Sequence, residues 1–166
     1  SIGRFLPIRT RFGHHLALNW NLGEENTNTF EERVAFSDWF KAHDPYKHPI
    51  VVHTYIGDQS KVYGPLYGYP NFDGASVQTN ANNVFRDTLA RVQESAAANR
   101  SWVVANDEQG NADDGVKPDS ADPSHDSIRR DVLWGNIMAG GAGKLTNWIS
   151  QSHKLTPHLC SLRVLG

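Results

Sequence analysis

Apolar and polar positions along this chain follow two rhythms that take turns. HHLALNWN (14–21) is a short apolar run that becomes polar at its end, which predicts a buried strand. Thr29 followed three residues later by Glu32 is a capping-box signature, and Phe36, Trp39, Phe40 and His43 then recur at helical spacing. A helix is predicted over 30–43, stopped by Asp44-Pro45. PIVVHTY (49–55) is compact and β-branched, as buried strands are. A loop rich in Gly, Tyr and Pro (56–72) leads to a short strand, GASVQ (74–78). Over 81–98, Phe85, Leu89, Val92 and Ala96 share one face of an amphipathic helix. SWVVAN (101–106) is the next strand, and 107–121 reads as a loop. Asp122-Pro123 looks like an N-cap with proline at the first helical position, of a helix that runs to about Ala139. GGAG (140–143) opens a further strand.

Strands and helices in alternation imply parallel strands covered by helices. A doubly wound sheet and a (β/α)8 barrel both have this pattern. No GxGxxG or P-loop motif follows any strand, which weakens a nucleotide-binding version. Acidic clusters do follow strands: NLGEEN after the first and NDEQG after the fourth. Barrel enzymes place their functional residues at the C-terminal ends of strands, so the expectation is an α/β chain forming part of a TIM (β/α)8 barrel. With four or five strands against the roughly 250 residues of a whole barrel, residues 1–166 read as a single partial domain. The tail 144–166 contains no Asp or Glu and no clear periodicity, and the head has no acid before Glu24. Truncation at both ends is the expectation, with the activity of the isolated piece left open.

Composition narrows the partners. A net charge of -2 gives no global field for nucleic acid or an anionic membrane. No apolar run is long enough to span a bilayer, so no membrane insertion is expected, and SIGRFLPIRTRFG lacks the apolar core of a signal peptide. The single cysteine, Cys160, excludes an internal disulfide and a cysteine-based zinc cluster. The eight histidines show no HExxH spacing. His14 and His15, adjacent on a predicted strand, would point to opposite faces, so these histidines read as structural and neither metal nor cofactor is expected. The acidic loop Asn111–Asp114 lacks a calcium-loop pattern and reads as solvated.

Glycosidic bond hydrolysis needs one carboxyl group to protonate the leaving oxygen and a second across the anomeric carbon. A gap of about 5–5.5 Å between them suits nucleophilic attack with retention. Glu25 and Glu108 end the first and fourth predicted strands, three strands apart, and are the candidate pair.

Here the motifs acquire a resemblance. WNLGEENTN (20–28) resembles the strand-four segment of the large clan of retaining barrel glycosidases, and WVVANDEQG (102–110) resembles its strand-seven segment. More narrowly, RFGHHLALNWNLGEEN, DPYKHPIVVHTY, FDGASVQ, WVVANDEQG and DPSHDSIRRDVLWGNIMAGGAG, together covering about 11–143, are similar to the apiosidase-like bacterial glycoside hydrolases. Members of that group often carry a further domain described as collagen-binding. The resemblance implies strands 4 to 8 of the barrel, Glu25 as acid/base and Glu108 as nucleophile. It also implies export to the periplasm or beyond, and plant or algal polysaccharide as substrate.

Glu24 stands where the clan usually has Asn, whose amide would contact the sugar 2-hydroxyl. Asn21 or Asn26 is then the candidate for that contact, and either Glu24 or Glu25 for the acid. Asp107 beside Glu108 raises the same ambiguity. His53 and Tyr55, at the end of the 49–55 strand, are either nucleophile-orienting and sugar-contacting groups, as the clan implies, or structural. Gln78 is a further sugar-contact candidate. Trp20 reads as platform or core, and Trp134 as core. Two other functions remain beside the retaining hydrolase: a non-catalytic carbohydrate-binding barrel and a metal-dependent hydrolase. Oligomeric state is not legible.

Overall fold

A computed structural model describes residues 10–23, 25–109, 117–142 and 162–164. Four strands run in parallel: β1 (Leu18–Asn21), β2 (Ile50–His53), β3 (Gly74–Thr79) and β4 (Val103–Gln109). Their spatial order is β4-β3-β2-β1, so each new strand is added to the same edge. A doubly wound sheet would reverse direction at a switch point; among the described residues there is none. The sheet is a curled half-barrel with its helices, an α/β arrangement compatible with part of a barrel. β5 (Leu162–Val164) lies antiparallel along the free edge of β1, inside the stretch expected to be an irregular tail.

The connections between strands are α1 (Phe30–His43), the short α2 (Gln59–Tyr63) and α3 (Val84–Ala97). α1 starts and stops as expected. The Thr29 hydroxyl accepts from the Glu32 backbone N–H at 3.2 Å, and the Glu32 carboxylate accepts from the Thr29 N–H at 2.9 Å. After β4 the chain forms a π-helix (Ile128–Trp134) that continues as α4 (Gly135–Met138). Gly140 ends it in the left-handed region at φ +80, where a side chain would be strained. Ala142 then donates its N–H to the Val104 carbonyl at 2.7 Å and bridges Ala105 in parallel at the outer edge of β4; the rest of the strand expected from GGAG lies outside the described residues.

One apolar cluster fills the space between the sheet and its helices. Leu18, Trp20, Ile50, Val52, Ala75, Val77 and Val104 enter it from the strands, and Phe40, Val62, Tyr63 and Leu66 from the helical side. Trp20 is therefore core. It stacks on Phe40 at 4.8 Å, and its indole N–H donates to Asp44 Oδ2 at 2.9 Å. Because side chains alternate along a strand, the residues between these core positions face the other, concave side. That set is polar at its C-terminal end: Asn21, His53, Ser76 and Gln78.

Several expectations shift. β1 begins at Leu18, and His14 and His15 lie in the turn before it with their rings 4.1 Å apart, so the strand argument about them does not hold. The buried face of α3 is Val84, Thr88, Arg91 and Ser95, one position behind the predicted Phe85–Leu89–Val92–Ala96 stripe, and Phe85 is 48% exposed. The polar members are held in place. The Arg91 guanidinium lies 6.0 Å over the Tyr63 ring, the Thr88 hydroxyl meets Asn136 Oδ1 at 3.3 Å, and Ser95 Oγ accepts from the Trp102 N–H at 3.1 Å. Asp122 caps a turn, accepting from the His125 N–H at 3.1 Å, and His125 at φ +50 delays the helix beyond it. Trp134, expected in the core, is 57% exposed.

Candidate active site

β4 is longer than its apolar run. Asp107, Glu108 and Gln109, expected in a loop, belong to the strand because β3 offers them a partner. The register slips there: Val77 lies opposite Asn106, but Gln78 lies opposite Glu108. Asp107 is the extra residue of a β-bulge, which lets two consecutive side chains meet the same face. Ser76 and Gln78, two apart on β3, reach Asp107 and Glu108 respectively. Ser76 Oγ donates to Asp107 Oδ2 at 2.5 Å, and Gln78 Nε2 donates to Glu108 Oε1 at 2.9 Å. Both acids therefore turn toward the same face of the sheet, and the choice of role between them stays open.

His53, the last residue of β2, lies between them. Its Nδ1 is 3.1 Å from Ser76 Oγ, and its Nε2 is 3.5 Å from Glu108 Oε2. Its side chain is 1% exposed, whereas that of Glu108 is 16% exposed, so the carboxylate meets solvent and the imidazole does not. Gln78 is itself anchored, its carbonyl accepting from Gln59 Nε2 at 2.6 Å. Ser76 and Gln59 did not stand out in the sequence. For Ser76 a signal existed, since strand alternation places it on the face of Gln78.

Glu25 follows β1. Gly23 turns the chain at φ +98, and Glu25 itself has φ +48, uncommon for a residue with a side chain. Outliers of this kind concentrate at functional sites. The turn is held by Asn26: its N–H donates to the His53 carbonyl at 2.9 Å, its Oδ1 accepts from the Asn28 N–H at 3.0 Å, and its Nδ2 donates to the Leu22 carbonyl. The Asn26 amide thus shapes the loop and is buried. Asn21 is also buried, on the concave side at the end of β1. Glu24 lies outside the described residues, as does the Asn111–Asp114 loop.

The Glu25 carboxylate lies near the Tyr55 hydroxyl, and its hydrogen-bonding pull and charge push the phenol above its ordinary value. Tyr55 is 41% exposed. The exit of β2 therefore faces Glu108 through His53 and lies near Glu25 at Tyr55.

Comparison of the chain with family models, with curated proteins and with solved structures finds no match. The site must be read from its own geometry.

Among the described residues no group of three His, Cys, Asp or Glu side chains is placed to hold a metal ion, and no helix is long and apolar enough to cross a membrane. His48 has a structural place, with Nδ1 2.6 Å from Asp44 Oδ2 and Nε2 2.9 Å from the His15 carbonyl. A groove of 310 Å³ lies apart from the carboxylates, between Phe85, Arg130, Asp131 and Trp134.

Proposed function

We propose that this chain supplies strands 4 to 8 of a (β/α)8 barrel of the apiosidase-like kind and that it is a retaining glycoside hydrolase, exported and acting on plant or algal-type polysaccharide or its oligosaccharides. Glu25 is the acid/base and Glu108 the nucleophile. The observation that carries this reading is Glu108 at the C-terminal end of β4, held by Gln78 at 2.9 Å and faced by His53 at 3.5 Å, with Glu25 on the loop after β1. It supports a pair of carboxylates at the C-terminal ends of the strands, where a double displacement needs them.

The chemistry follows from that placement. Glu108 attacks the anomeric carbon as Glu25 transfers its proton to the departing glycosidic oxygen, so one C–O bond forms while the other breaks. Glu25, now a carboxylate, then takes a proton from water, and the resulting hydroxide displaces Glu108 and restores both groups. Gln78 holds one Glu108 oxygen at 2.9 Å, which fixes the direction from which the other meets the sugar. Glu25 lies near Tyr55, in a loop whose backbone is in an uncommon conformation.

The test is covalent trapping. A panel of activated 2-deoxy-2-fluoro glycosides, followed by peptide mapping, is expected to label Glu108. Label on Asp107 would reassign the nucleophile. Saccharide binding without label or hydrolysis across the panel would favour the non-catalytic carbohydrate-binding barrel.

A further inference from the structure

Between the two acids of β4 runs a chain of hydrogen bonds whose direction is set by proton counting. A serine hydroxyl has one proton to give. Ser76 Oγ is 2.5 Å from Asp107 Oδ2, the short range of an O–H donor on a carboxylate. With its proton engaged there, Oγ presents only lone pairs to His53 Nδ1 at 3.1 Å. The ring nitrogen must be the donor, so Nδ1 carries hydrogen. The opposite nitrogen, Nε2, is then the position that gains or loses a proton, and it faces Glu108 Oε2 at 3.5 Å.

We propose that Ser76 and Asp107 are positioning residues that hold His53 in its Nδ1–H form, so that Nε2 and Glu108 share a single proton. A bare Nε2 facing a bare carboxylate would set two lone pairs against each other in a buried site, a costly arrangement. While Glu108 is anionic, His53 is accordingly an imidazolium. Among the described residues, Asp107 and Glu108 of β4 are charged groups facing the ring, and Ser76 and Gln78 of β3 are neutral.

The consequence for catalysis rests on the reading of Glu108 as nucleophile. When Glu108 becomes a glycosyl ester it loses its negative charge, and His53 loses its adjacent counter-ion. Asp107, acting through the Ser76 hydroxyl, remains as the compensating anion. The imidazolium therefore persists through the covalent intermediate, ready to stabilise Glu108 as it leaves as a carboxylate.

The relay is tested on the 166-residue chain, without substrate, by two-bond 1H–15N correlation spectra of the His53 ring. The neutral ring is expected to carry its proton on Nδ1. Ser76→Ala removes the acceptor for that proton, and Asp107→Ala frees the Ser76 hydroxyl to donate to Nδ1 instead. Either variant should move the neutral ring to the Nε2–H form. A wild-type ring protonated on Nε2 overturns the proposal, as does a tautomer unchanged in the variants. If one variant does not fold, the other and the wild-type spectrum still decide the matter. Hydrolysis by Glu108→Ala is scored separately: normal turnover there sinks the glycosidase reading and leaves the tautomer result standing.

Discussion

Gln78 lies opposite Glu108 and not opposite Asp107, because the register of β3 against β4 slips by one residue after Val77. The slip turns two consecutive acids toward the same face and gives each its own donor on β3. Gln78→Ala removes the donor from Glu108 while leaving the backbone carbonyl that Gln59 holds. A hydrogen bond to a charged group contributes about 1.5–3 kcal/mol, so kcat/KM should fall by about tenfold to a hundredfold, with a thermal midpoint close to that of the parent chain. Steady-state kinetics alongside thermal melts check this. An unchanged rate would mean that the Gln78 contact does not orient Glu108 for the proposed reaction.

Gly74 permits the pairing that carries the bulge. A Cβ built there would lie 2.1 Å from the Val103 carbonyl oxygen and 3.2 Å from Val51 Cγ1. Neither neighbour can withdraw easily, since one is strand backbone and the other is wedged against the sheet. Gly74→Ala should therefore spread β3 from β4 and destabilise the fold by about 1–3 kcal/mol, the usual range for overpacking. Urea denaturation gives the number, and a neutral result would contradict the strand spacing.

How far the sequence could foretell this depends on how local each cause is. The Thr29–Glu32 capping box lies within a single turn, and α1 begins and ends where its residues say. The β-branched runs give β2 and the start of β4 for the same reason. The polar end of β4 was invisible because Asp107, Glu108 and Gln109 are poor strand formers. They become strand through partners on β3, thirty residues earlier in the chain. The face of α3 was misread by one position because Arg91 is buried by the Tyr63 ring, a tertiary contact that no periodicity contains. The place of Glu25 and Glu108 after apolar strands was legible, whereas the Ser76–His53 link between β2 and β3 was not.

Below the sheet, Asp44 ties β1 to the entrance of β2. Its carboxylate accepts from the Trp20 indole at 2.9 Å, from His48 through both N–H at 3.0 Å and Nδ1 at 2.6 Å, and from the Tyr46 N–H at 3.1 Å. Burial favours the neutral acid, but these hydrogen bonds outweigh it and hold the group below its ordinary value. A folded-state value lower than the unfolded one means that the stabilisation is fully present above about pH 4. It is lost as pH falls through the depressed value. Asp44→Ala should cost about 3–5 kcal/mol at neutral pH, as breaking a buried charged network does. The cost should shrink in acid, which denaturant titrations at several pH values would show. A cost independent of pH would refute the assignment.

Tyr55 offers a direct view of Glu25. The phenol is held above its usual value first by its hydrogen bond to Glu25 and then by that carboxylate's charge, with burial and Asp58 adding less. Glu25→Gln keeps the shape of the side chain and removes the charge, so Tyr55 should ionise at lower pH, moving toward about 10. A difference ultraviolet titration of the variant against the parent resolves the shift, with Tyr55→Phe identifying the transition. In kinetics, Tyr55→Phe should lower the rate less than Glu25→Gln does, because it loosens the acid without removing it. A Tyr55 titration untouched by Glu25→Gln would separate the two residues. The proposed acid would then have to be sought elsewhere on the loop after β1.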